Sequence, residues 1–313
     1  MLSRRFIRIK VMQALYAYFQ SDNNELSKSE DEMIRSFNNI GDLYHWVLSL
    51  MVNIRTVALD MMTDAKSKRF PTPTDLNPNR RFVDNSFLKA LSESAELNKF
   101  IDSKKQFWNN DYDIIRKIFL DIKKTEIYSN YLLTDSNKLN ADKTFLYQLI
   151  DDVLSEHDLV NHFFEDKNVH WADDLFVAFV GIRKTIENFD GSKVKLQPLF
   201  RDEQEDIDFA RKLFEKCIQN KNYFAELISE KTVNWEVERI AQMDVLLMKM
   251  ALTEVLFFET IPVKVSLNEY IDISKEYSTP KSKVFINGVL DKIVIELKSQ
   301  EKIVKKGRGL VEN

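Results

Sequence analysis

Six glycines and six prolines serve a chain of 313 residues, and that scarcity narrows the possible folds more than any other feature. Glycine supplies the positive φ of tight hairpin turns and the close backbone approach of phosphate-cradling loops. A chain so poor in turn residues is ill-suited to a β-sandwich or to a Gly-rich nucleotide fold. Long helices joined by a few loops need far fewer. Charged side chains make up 30% of the sequence and apolar ones 44%, enough to give each helix one solvated face and one core face. The expected fold class is all-α.

The formal net charge of −4 argues against a generally basic nucleic-acid binder. It leaves room for a local basic patch, because exposed charges more than about 8 Å apart are largely screened at physiological salt. The single cysteine, Cys217, excludes an intrachain disulfide framework and suits a reducing, cytoplasmic setting. It lies in the helical pattern Phe214-Glu-Lys-Cys-Ile218 with no histidine nearby, so an inert buried thiol is expected. No apolar run approaches the roughly 18 residues that a membrane span needs. At the N-terminus, Lys10 and Gln13 interrupt any leader-like apolar stretch. Met12, Leu15, Tyr16 and Phe19 instead fall at i, i+3, i+4 and i+7, one stripe of an amphipathic helix.

The pattern predicts a first helix over about 3–20 with Ser3 as its N-cap. On its wheel Arg5 and Arg8 continue the stripe and project past the packed part. A polar break at 21–24 and a long periodic segment over about 29–68 follow. Then comes a linker, Phe70 to Arg81, whose three prolines deny backbone donors. Further helices are expected over about 84–102, 106–133, 139–157, 170–189, 203–219 and 221–231. A long helix opens at Trp235 and ends before Pro262. Ser266 with Glu269 fits a capping box, and a last helix over 282–298 gives way to a basic tail.

Enzymatic motifs are missing from the sequence: there is no Walker loop, G-x-G-x-x-G, G-x-S-x-G or C-x-x-C. No catalytic residue and no cofactor is expected. His157, His162 and His170 stand near Asp158, Glu165 and Asp166, but their spacing does not stack imidazoles on one helical face. Solvated helix ends are the better account, and no metal site is expected. A nucleic-acid reading has more behind it. Arg4, Arg5, Arg8 and Lys10 occupy the first ten residues without an acid. Lys275, Lys281 and Lys283 flank a loop that contains Tyr277 and leads to Phe285, and Lys249 sits amid apolar residues of the long helix. Basic loops beside aromatic rings are what single-stranded nucleic acid requires. Each feature also has a plainer reading: a solvated helix end for the arginines, a core place for Phe285.

Taken together, Gln13-Ala-Leu-Tyr16, the helix from Trp235 to Glu254, Ile261-Pro-Val-Lys-Val-Ser-Leu-Asn-Glu269 and Phe285-Ile-Asn-Gly-Val-Leu-Asp291 resemble the NusB family of transcription antitermination proteins. The resemblance covers about 3–20 and 205–297. It implies an all-α bundle of two packed helical subdomains, with 1–24 as the first helix of the core and 25–200 as an inserted helical region. Residues 201–300 then complete the core, and 301–313 form the basic tail. It further implies recognition of boxA-type RNA in nascent ribosomal RNA transcripts, together with the ribosomal protein NusE, other Nus factors and RNA polymerase being joined indirectly. By that resemblance Arg4, Arg5, Arg8, Lys249, Tyr277, Lys281 and Phe285 fall at RNA-contacting positions. Tyr16, Glu238 and Asp244 fall where the family meets its ribosomal-protein partner. Lys281 departs from the pattern, standing where a relative carries an acid. In the last motif Gly288 is expected to let another helix approach closely. The rival reading is a non-catalytic helical scaffold that has kept the fold and lost RNA recognition. An RNA methyltransferase appendage lacks support, since 25–200 contains no Gly-rich strand–loop–helix.

Overall fold

A computed structural model describes residues 1–21, 25–104, 107–108, 111–134, 138–232 and 240–306. Every regular element among them is helical. The α-helices in chain order are α1 (Arg4–Gln20), α2 (Leu26–Lys66), α3 (Pro73–Leu76), α4 (Ser86–Ser92), α5 (Ala95–Ser103), α6 (Tyr112–Lys124), α7 (Glu126–Leu132), α8 (Lys138–Leu149), α9 (Asp158–Lys167) and α10 (Leu175–Glu187). They continue with α11 (Glu203–Gln219), α12 (Lys221–Lys231), α13 (Gln242–Phe257), α14 (Val263–Tyr277) and α15 (Ser282–Ser299). None of the described helices is long and apolar enough to cross a membrane. The chain divides into two compact units, one of Met1 and residues 37–199, the other of residues 2–36 and the chain from 200 onward.

Local chemistry accounts for most helix boundaries. Ser3 caps α1, its hydroxyl accepting from the Phe6 amide. Two expected long helices are each split by a cap. Ser94 accepts from Leu97 N–H and starts α5, and Thr125 in an extended conformation accepts from Tyr128 N–H and starts α7. The proline-rich linker holds one helical turn, α3, opened by a capping box between Thr72 and Asp75 with Pro73 at the first helical position, where its missing N–H costs nothing.

The unit of residues 37–199 has an aromatic core in which Tyr44, Phe82, Phe87, Phe145, Phe164 and Phe189 are fully buried. The buried carboxylate of Asp142 is supplied with partners, as burial demands. Asp142 accepts from Tyr131 OH at 2.7 Å and from the Ser86 amide at 2.8 Å, and it meets Arg81 at 3.1 Å.

In the other unit α13 is the axis. Leu246, Leu247, Met248, Met250, Ala251, Leu252 and Val255 are all buried, and a helix apolar on every side belongs inside a bundle. Accordingly it touches α1, α11, α12, α14 and α15. Two expectations need correction here, and a third falls outside the described residues. The helix is seen from Gln242, and the expected start at Trp235 lies outside the described residues. α14 starts at Val263 behind Pro262, whose φ of −59° is already suited to a helix entry. Ser266 and Glu269 therefore sit inside the helix, and their side chains go to Glu254 and to Arg5 instead of a cap. Gly288 has nothing among the described residues within 4 Å of a Cβ built there, so it admits no neighbouring described helix.

Candidate nucleic-acid interface

α1 carries three arginines across one end of this unit, and each meets a different environment. Arg8 is buried, 3% exposed. It donates from Nε to Glu254 Oε2 at 2.8 Å and from Nη2 to Glu254 Oε1 at 2.7 Å, a bidentate pair. Glu254, fully buried on α13, also accepts from Ser266 Oγ at 2.7 Å and Tyr270 OH at 3.1 Å. Burial works against the Arg8 charge, and the bonds to Glu254 more than offset it, so the guanidinium is held above its ordinary range. Burial, with the Glu254 charge adding to it, likewise raises the Tyr270 hydroxyl. The expectation that Arg8 projects past the packed helix is overturned, because a carboxylate on α13 lies opposite it.

Arg5 is 43% exposed along its side chain and donates to both oxygens of Glu269, at 2.9 and 3.0 Å, and to Asp272 at 2.9 Å. The other oxygen of Asp272 takes Lys275 Nζ at 2.6 Å. A cation from the start of the chain and one from the last turn of α14 thus share a single carboxylate. Bonds to Glu269 raise the Arg5 guanidinium, and the bond from Lys275 lowers the Asp272 carboxyl. Arg4 pairs with Glu205 at 2.7 Å and Asp206 at 3.0 Å, its guanidinium 4.5 Å from the Phe209 ring centroid.

The loop between α14 and α15 is fixed from beneath. Asp244, 5% exposed at the start of α13, accepts from Ser278 Oγ at 2.5 Å and Ser282 Oγ at 2.8 Å. A residue expected to face a partner therefore ties two helices and their loop together. Above it Lys281 and Lys283 are exposed, while Tyr277 and Phe285 are half-buried. Lys281 forms no ion pair among the described residues, unlike the arginines.

Tyr16 and Lys249 lie elsewhere, lining one groove of about 480 Å³ with Phe19 and Lys221. Glu238 is outside the described residues. Cys217 is buried, which pushes its thiol up to about 12. Among the described residues no three metal-donor side chains converge; His157 instead caps α9 through its ring nitrogen.

The sequence reading missed Glu254, Glu269 and Asp272 as the groups that set the arginines. A signal for Glu254 was present: an acid within the apolar run Met250 to Phe257 of α13 is expected to be buried with a partner.

At the rim Lys281 and Lys283 stand exposed on the loop that follows Tyr277 and leads to Phe285, while Arg5 and Lys275 are paired with Glu269 and Asp272. The profile described as the NusB family matches residues 184–294. The chain is similar to the transcription antitermination protein NusB of Salinibacter ruber (strain DSM 13855 / M31), 46% identical over 33% of this chain and 65% of that protein. A NusB of Chloroherpeton thalassium (strain ATCC 35110 / GB-78) is 44% identical over 34% of this chain and 50% of its own length. A NusB of Bacillus pumilus (strain SAFR-032) is 37% identical over 32% of this chain and 76% of its own. The first two relatives are thus spanned over less than two thirds of their length. No solved structure matches.

Proposed function

This chain belongs to the NusB family, and from that premise we propose that it is a non-catalytic transcription antitermination factor. In this reading it binds a boxA-type element of nascent ribosomal RNA together with the ribosomal protein NusE, in the cytoplasm, and joins other Nus factors and RNA polymerase through that complex. The observation carrying the proposal is the meeting of Arg5 and Lys275 on Asp272, which draws the cations of the chain's two ends onto α14. Phosphates contact Arg4, Arg5 and Lys281, and bases stack at the Tyr277 and Phe285 edge of the loop. Arg8, held by Glu254, positions α1 rather than touching RNA.

Filter binding of a boxA RNA, with and without NusE, tests this. Arg5→Glu and Lys281→Glu should each weaken binding by roughly tenfold, the scale of one lost phosphate contact plus a repulsive charge. Folded protein that binds in neither condition sinks the proposal. The engagement of Arg4, Arg5 and Arg8 by carboxylates favours one rival, a scaffold without RNA recognition. That rival gains if both charge reversals leave RNA affinity unchanged.

A further inference from the structure

α10 opens with an unbroken apolar run, Leu175-Phe-Val-Ala-Phe-Val-Gly-Ile182. Such a run has no side to give to water, and a helix that carries one is normally enclosed. α10 is enclosed on one side only. Leu175, Ala178, Phe179 and Ile182 turn into the core of residues 37–199. Phe176 is 74% exposed and Val180 45%, with Val177 half-buried beside them. Scattered apolar residues on a surface need no explanation. These three stand at i, i+1 and i+4, within about 100° of one another around the helix, and so form one stripe.

The stripe is charged at both ends, with opposite signs. Asp173 is exposed in the turn that leads into α10. Lys184 is exposed in its last turn and forms no ion pair among the described residues. Arg183 beside it is already engaged, bonded to Asp151 and lying 4.8 Å over the Tyr147 ring. An acid, an apolar centre and a base in that order match the same order reversed. Two copies related by a two-fold axis present it reversed, because their helices then run antiparallel. With Val177 opposite Val180 of the second copy, the same register sets Asp173 opposite Lys184 at both ends. Glu187 reaches past the start of the second α10. An unrelated apolar partner would use only the centre of the stripe, whereas a second copy uses its ends as well.

We propose that the Phe176–Val180 face of α10 is a self-association surface, on which two copies of this chain pair antiparallel with Asp173 of each against Lys184 of the other. The surface belongs to the unit of residues 37–199, and only Lys184 falls within the family match over 184–294. The pairing therefore stands independently of the antitermination reading.

Sedimentation velocity of the full chain, without RNA, tests it. One helix face is small for a protein interface, so the chain should pass from monomer to dimer between about 1 and 200 μM. Phe176→Ser, a change at a solvent-facing position, should weaken the dimer at least tenfold. Asp173→Lys and Lys184→Asp should each give monomers where the unmodified chain is dimeric, because each sets like charges face to face. Mixed in equal amounts, these two variants should recover the dimer, since every facing pair is then opposite in sign. Circular dichroism verifies that each variant is folded. A chain that stays monomeric throughout the range overturns the inference. So does a dimer that Phe176→Ser leaves unchanged, or a mixture of the two charge variants that stays monomeric.

Discussion

Glu254 brings a carboxylate to a fully buried position of a largely apolar helix, where desolvation alone would be unfavourable by several kcal/mol. The bidentate Arg8 pair and the hydroxyls of Ser266 and Tyr270 offset that cost, since every lone pair in use has a donor. The arrangement makes a prediction at one atom. Glu254→Gln leaves the buried Arg8 with only the more distant Glu269, at 3.5 Å, as a counter-charge and should destabilise the protein by about 3–5 kcal/mol, read as a lower urea midpoint with an unchanged slope. Replacing both partners, Arg8→Met with Glu254→Leu, should cost clearly less than the single change. A Glu254→Gln loss under about 1 kcal/mol would mean the pair does not anchor α1. Asp244→Ala is a second case: it removes the acceptor that the Ser278 and Ser282 hydroxyls share and should cost about 1–3 kcal/mol in the same assay.

At the level of the helix, α15 carries a glycine that the fold does not use. Gly288 has open space where a Cβ would stand, and a glycine inside a helix costs about 0.5–1 kcal/mol relative to alanine. Gly288→Ala should therefore raise the melting temperature of the isolated protein; a fall in calorimetry would show a contact that the geometry lacks. The helices themselves were largely legible. α11 and α12 fall at the residues their periodicity marks, and Ser3 caps α1 as its position suggests, because caps and stripes are local signals. Two kinds of feature were not legible. The start of α14 was assigned to Ser266 because its hydroxyl and Glu269 imitate a capping box, whereas Pro262 had already set the turn. Arg8 was placed on the outside because its partner is 246 residues away in sequence, and no local pattern records that distance. The same holds for Asp244, whose burial depends on serines of a distant loop.

For the molecule as a whole, a net charge of −4 means that any attraction to RNA must come from a few cations gathered locally. The two ends of the chain achieve this by folding into one unit, where α1 meets α11 and α13 while α14 carries Glu269 and Asp272. Such a surface has a signature in salt. Each phosphate contact to a single strand contributes about 0.7 to the slope of log affinity against log salt, so three or four contacts predict a slope of about −2 to −3. The most direct test is that slope, measured by filter binding of a boxA RNA to the chain and to the Arg5→Glu/Lys281→Glu double variant, with circular dichroism confirming that both are folded. The account predicts that the variant loses about 1.4 from the magnitude of the slope and more than tenfold in affinity. An unchanged slope and affinity in a folded variant would contradict it.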